Sequence, residues 1–175
     1  VFFHGAGGTA QSVFYAFEMA EAHGVIILAP DSRDQRTWDL VLGSYGDDAD
    51  FLSAALARTL ERCHVDRQRM VLAGHSDGAS FALSFGIGTG DVFPQILAFS
   101  PGVLSPVAVA GKPRIFISHG VNDRVMPIDV TSRRFVPRLA GLGYEVEYRE
   151  YEGGHTVPTD VVQRGFEWAF PRPAR

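Results

Sequence analysis

At 175 residues, 46% of them hydrophobic and 21% charged, the chain has the make-up of one soluble globular domain, long enough to bury a sizeable core without staples. Its net charge of −4 comes without a basic stripe, so nucleic acid is not an expected partner, and no apolar run approaches the roughly 18 residues that span a bilayer. Cys63 is the only cysteine, which excludes an internal disulfide and a cysteine-based metal cage, and the six histidines show no metal-binding spacing.

In chain order, Val1-Phe2-Phe3 reads as the end of a buried strand running into His4-Gly5-Ala6-Gly7-Gly8. A three-residue strand is short for the middle of a sheet, so the native chain is expected to begin earlier or to have been trimmed. A cytoplasmic location is the simpler expectation, with secretion left open if a leader has been removed. Ser12 is placed to cap a helix reaching Ala22, with Gly24 as its stop. Val25 to Ala29 is a continuous apolar run before Pro30-Asp31, the pattern of a strand buried on both faces. An irregular segment to Tyr45 follows. Asp47 or Asp48 is placed to cap a helix to about Cys63, along which Leu52, Ala55, Leu56, Leu60 and Cys63 recur at helical spacing, and Cys63 reads as a small core residue. Met70 to Ala73 reads as a strand and Ala79 to Ile87 as a helix, followed by short strands at Gln95–Ser100 and Arg114–Ser118. Ile128 to Gly143 is helical with a kink or break expected at Pro137, and Tyr144 to Tyr151 alternates like a strand near a sheet edge. Pro158 opens a last helix to about Phe170, and residues 171–175 form a tail. Alternating strands and helices predict an α/β fold: one domain over residues 1–175, with an open, mostly parallel, doubly wound sheet covered by helices on both faces.

Ligands bind such sheets beyond the carboxyl ends of the strands, and the chemically useful residues fall there. Gly74-His75-Ser76-Asp77-Gly78 matches G-x-S-x-G between a strand and a helix, which puts Ser76 at the tip of a sharp turn. Alone, that pentapeptide is equally a glycine-rich connector. Asp123 follows a strand in His119-Gly120-Val121-Asn122-Asp123, where a turn or cap role is the plainer reading, and His155 follows one in Glu152-Gly153-Gly154-His155, where a surface loop is. Together, the order Ser76, Asp123, His155 is that of a serine hydrolase triad on an α/β sheet. Ser76 would be the nucleophile, His155 its base and Asp123 the acid that holds the imidazole tautomer. The N–H groups of Asp77 and Ala6 are assigned to the tetrahedral oxyanion. His4, His75 and His119 are read as structural neighbours of these motifs. Trp38, Tyr45, Val125 and Met126 are candidate walls for the substrate, with ordinary packing an equal alternative.

The set HGAGG, GHSDG, HGVND and GGH, in this order and spanning Phe2 to about Phe170, resembles the phospholipase/carboxylesterase branch of the α/β-hydrolases, close to dienelactone hydrolase-like esterases. The resemblance implies hydrolysis of a small-molecule carboxylic ester through an acyl-enzyme at Ser76, with no cofactor and no metal. Two features depart from it. Dienelactone hydrolases use cysteine where Ser76 stands, and the family's first strands have no counterpart here, which leaves a homo-oligomer open. Thioester hydrolysis, polyester depolymerisation and peptide hydrolysis suit the same triad, and a hydrolase fold that only binds is the reading from a different class. Pro101 to Pro113 is too short to build a lid, so short-acyl esters are the expected substrates.

Overall fold

The computed structural model describes residues 1–34, 37–39 and 46–171. Five short segments pair as parallel strands in the order β1 (Phe2–Phe3), β2 (Val71–His75), β3 (Gln95–Phe99), β4 (Arg114–Gly120) and the alternating edge strand β5 (Val146–Tyr151). The expected open α/β sheet is what forms. Side chains alternate across a strand, so each sheet face gathers its own half of the apolar residues. Leu72, Ile96, Ala98, Ile115 and Ile117 meet α2 (Asp47–Arg62), α3 (Asp77–Gly88) and α4 (Ser132–Gly141) through Leu52, Phe81, Leu83 and Leu139. On the opposite face, Ala73, Leu97, Phe99 and Phe116 meet α1 (Phe17–His23) and α5 (Thr159–Ala169) through Ala20, Val162 and Phe166.

Five local expectations need correction. Val25 to Ala29 is not a strand buried on both faces: β1 is two residues long and gives it a single backbone bond, Phe2 N–H to Leu28 O at 2.9 Å, and Ile26 is 55% exposed. Ser12 caps nothing from in front; Thr9 precedes a 3₁₀ turn over Ala10–Ala16, and Ser12 Oγ reaches back to accept from Thr9 N–H. Gly46, not Asp47 or Asp48, precedes α2. The break before α4 falls at Thr131, whose φ of −119° and ψ of −105° are not helical, while α4 runs on through Pro137. Cys63 is half-buried rather than a core residue.

The bond from Phe2 to Leu28 places residues 25–29 outside β1, whereas β2 lies on its other side. The chain therefore reverses its direction of travel across the sheet between β1 and β2. At such a reversal the loops leaving adjacent strands meet beyond the carboxyl ends of the strands, where ligands bind sheets of this kind. Here those two loops are His4 to Gly8 and the turn at Ser76.

Their closeness demands glycine. A Cβ on Gly78 would sit 2.3 Å from Phe3 O and 2.5 Å from His4 O, and one on Gly74 would sit 2.3 Å from the Gly78 carbonyl. Gly78→Ala is expected to cost about 3 kcal/mol by overpacking against backbone that cannot give way, lowering the melting temperature by roughly 6–12 °C. Gly141→Ala, which meets nothing within 4 Å, should leave the melt within about 2 °C. Thermal melts of the two variants decide this: equal midpoints would mean that the elbow is looser than its geometry.

Candidate active site

Ser76 follows β2 and precedes α3 with φ 59° and ψ −120°, a conformation that costs a non-glycine residue about 1–3 kcal/mol and persists only where neighbours enforce it. The neighbours are explicit. Ser76 N–H donates to Phe99 O at 2.9 Å, and Ser76 O accepts from Ser80 N–H at 3.0 Å and from Ser80 Oγ at 3.1 Å. The same Ser80 oxygen accepts from Gly102 N–H at 2.9 Å and Val103 N–H at 3.1 Å, tying the loop after β3 to the turn.

The acid and base loops are stitched together by backbone. Val121 N–H donates to Tyr151 O at 3.0 Å and Asn122 N–H to Gly153 O at 2.9 Å, and Gly120 lies so close to the Gly153-Gly154 carbonyls that a side chain there would collide with them. Tyr151 O–H donates to Thr156 O and closes the base loop from below. The result brings Ser76, His155 and Asp123 into one line. His155 Nδ1–H donates to Asp123 Oδ2 at 2.6 Å, which leaves Nε2 to accept from Ser76 Oγ–H at 2.8 Å. Asp123 Oδ1 accepts from Val125 N–H at 2.9 Å and Met126 N–H at 2.8 Å.

Ala6 lies in the turn that Gly8 N–H closes onto Gly5 O at 3.0 Å, and a Cβ on Gly5 would be 3.3 Å from Ser76 Cβ, so this loop passes directly over the serine. Asp77 N–H belongs to the first turn of α3, where backbone donors have no partner within the helix. An anion formed at Ser76 would meet both loops. The arrangement can move the serine proton to an imidazole, hold the resulting charge with a buried carboxylate and receive an oxyanion.

A family model named Esterase matches residues 10–126, more than half of the chain. The chain belongs to the Esterase family. The esterase superposes on solved structures of the α/β-hydrolase fold. Esterase PE8 shares 22% identity at a TM-score of 0.78, over 96% of this chain and 89% of that one. A Bacillus cereus carboxylesterase shares 20% at 0.70, over 97% and 86%. A phospholipase/carboxylesterase from Dyadobacter fermentans shares 21% at 0.72, over 96% and 87%. No curated protein sequence matches the chain.

Electrostatics in the esterase separate the titrating groups. Burial pushes the Asp123 carboxyl upward, but the hydrogen bonds from His155, Met126 and Val125 outweigh it and hold the carboxyl below its ordinary range. Burial, with the nearby His155, lowers His75 to about 4, so it is neutral at physiological pH, its ring 4.9 Å from that of His155. His4 Nδ1–H donates to Gly5 O and its Nε2 accepts from Ser32 N–H, which fixes the start of the loop over Ser76.

The wall residues divide. Trp38 is a core residue, not a cleft wall: it is 1% exposed, packs on Phe3 and Phe81, and donates its indole N–H to His4 O at 2.8 Å. Tyr45 lies outside the described residues. Val125 is 63% exposed beside the acid loop, and Met126 lies against Gly102, where a Cβ would meet its sulfur at 2.3 Å. Sequence reasoning missed two struts beneath the site of the esterase. Buried Asp48 accepts from Arg33 N–H and Asp39 N–H at 2.6 and 2.8 Å, and Thr37 Oγ1 donates to the Asp77 carboxylate. An acid in a first helical turn gives no signal that its partner is a distant loop.

Proposed function

We propose that the chain is a serine carboxylesterase acting on short-acyl carboxylic esters, with Ser76 as nucleophile, His155 as general base, Asp123 as its orienting acid, and the N–H groups of Ala6 and Asp77 as oxyanion donors. The observation that carries this reading is the continuous hydrogen-bond line from Ser76 Oγ through His155 to Asp123, at 2.8 and 2.6 Å. In the first half-reaction His155 Nε2 takes the proton of Ser76 as Oγ attacks the ester carbonyl. Asp123 holds Nδ1–H and stabilises the imidazolium that forms. The tetrahedral oxygen is received by the two backbone donors, the imidazolium protonates the departing alkoxide, and an acyl-serine remains. Water, deprotonated by His155, then repeats the sequence and releases the acid.

Substrate size follows from the surroundings. The connection from Pro101 to Pro113 carries no helix, and Val107 and Val109 on it are 62% and 68% exposed. A hollow of about 480 Å³ along the loop from His4 to Thr9 is lined by His4, Gly7, Gly8, Thr9, Asp31, Ser32 and Arg33, none of them an aliphatic side chain. Among the described residues, Val125, exposed beside the acid loop, and Met126 are assigned as apolar contacts for an acyl chain at the rim. Each added methylene should therefore contribute less than the ~0.8 kcal/mol of full burial. Hydrolysis of p-nitrophenyl esters from acetate upward is expected to give its highest kcat/KM at the short end, with Ser76 labelled by a fluorophosphonate. Activity that climbs steadily into long-chain esters would overturn the size assignment, and the absence of labelling would overturn the serine mechanism.

A further inference from the structure

His119 stands next to Gly120 at the end of β4, and its side chain is fully buried. Its Nδ1 lies 2.7 Å from Ser132 Oγ, the first residue of α4, and its Nε2 lies 2.7 Å from Met126 O and 3.2 Å from Asp123 Oδ2. A carbonyl and a carboxylate only accept, so the proton must be on Nε2, shared between Met126 O and Asp123 Oδ2. Nδ1 then accepts from the Ser132 hydroxyl. Burial holds the imidazole below the usual histidine range, in keeping with this neutral form.

Asp123 Oδ2 thus receives two imidazole N–H donors, one from His155 and one from His119. The Oδ1 atom is held by the backbone of the loop that turns away from the sheet. With Oδ1 held by the loop, the setting of the carboxyl group depends on what holds Oδ2, and His155 alone, on a partly exposed loop, would hold it by one bond. His119 supplies the second, fully buried bond to Oδ2, and by bonding Met126 O as well it clamps the loop carrying the Oδ1 donors. At longer range the carboxylate is felt by His75 and Tyr151.

We propose that His119 is a positioning residue for the reaction, aligning Asp123 Oδ2 with His155 Nδ1 through a neutral Nε2–H braced by Ser132. This rests on the serine-esterase reading above and adds a fourth side chain to its line. Transition-state charge on His155 is stabilised by Asp123 only while the short bond between them is kept, so a slack carboxylate should lower kcat with little change in KM.

The test compares His119→Phe, which keeps a ring but no donor, with His119→Gln, whose amide N–H reaches the same end. His119→Phe should lose about 30- to 100-fold in kcat with KM within about twofold, and should lose the strongly downfield proton resonance of the His155–Asp123 hydrogen bond. His119→Gln should recover kcat to within about fivefold of the parent and restore the resonance, because a donor is again present. Ser132→Ala, which removes the hydroxyl that braces Nδ1 and lets the ring shift, should lower kcat about threefold and broaden the resonance, and it serves where His119→Phe fails to fold. Unchanged kcat in His119→Phe or Ser132→Ala, a fall in kcat with the resonance intact, or no recovery by Gln would each overturn the proposal. If the parent itself neither hydrolyses esters nor reacts with a fluorophosphonate, the esterase reading fails instead, and the resonance in parent and variants still decides whether His119 aligns Asp123.

Discussion

Ser76→Ala is expected to remove ester turnover, a loss on the order of 10⁶-fold in kcat, while leaving the fold intact. The hydroxyl forms and breaks the covalent bond to the acyl group, so no other side chain can complete the step. What remains in the variant is binding and the oxyanion donors. Stability should hardly move. The Ser76 hydroxyl has His155 as its hydrogen-bond partner, and the turn is held by backbone bonds from Ser76 N–H to Phe99 O and to Ser76 O from Ser80, all of which alanine keeps. Turnover within tenfold of the parent, measured on protein with an unchanged melt, would rule out Ser76 as nucleophile.

Asp123→Asn should cost about 10⁴-fold in kcat, and the geometry says why the amide cannot substitute. If its NH₂ faces His155, two donors meet; to relieve the conflict the imidazole must move its proton to Nε2, and it can then no longer accept from Ser76. The same NH₂ would also face His119 Nε2–H. If the amide is turned over, its NH₂ meets the N–H groups of Val125 and Met126 instead, which now occupy Oδ1. Either orientation leaves a buried donor against a donor. Two acids near helix starts, Asp129 and Asp160, have none of these constraints. Asp129 is paired with Arg133 at 2.7 Å and Asp160 lies 3.9 Å from Arg164, each on an exposed side chain. Asp129→Asn and Asp160→Asn should keep kcat within about twofold, since such surface pairs contribute little. A larger loss from either than from Asp123→Asn would reassign the acid.

The residues in these predictions were legible in the sequence for a physical reason: each of the three follows a strand, and a parallel sheet delivers the ends of its strands to one edge. Ser76, Asp123 and His155 needed no knowledge of packing to be placed near one another. Trp38 did. An aromatic in an irregular segment reads the same whether it faces substrate or core, and only the packing of Phe3 and Phe81 shows that it props up His4 from beneath. Val25 to Ala29 misled in the opposite way, because apolar continuity reports a preference for burial but says nothing of whether a partner strand is long enough to pair. Thr131 and Pro137 make the same point for helices. The proline is visible as a breaker, yet the break sits where the Thr131 backbone leaves the helical range. The second donor to Asp123 was hidden because His119 reads as one more motif histidine, and its tautomer is set by the Met126 carbonyl and the Asp123 carboxylate that the fold brings to Nε2.

The Ser80 hydroxyl, which joins the Ser76 carbonyl to the N–H groups of Gly102 and Val103, makes the nucleophile and the loop after β3 a single mechanical unit. Thermal jitter of that loop is shared with the serine rather than added to it, so the distance between attacking oxygen and neighbouring wall varies less than either position does. Variation in the outward residues beyond Val103 can therefore reshape what the site accepts without detuning its aim, and evolution has there a place to change selectivity at little mechanical risk.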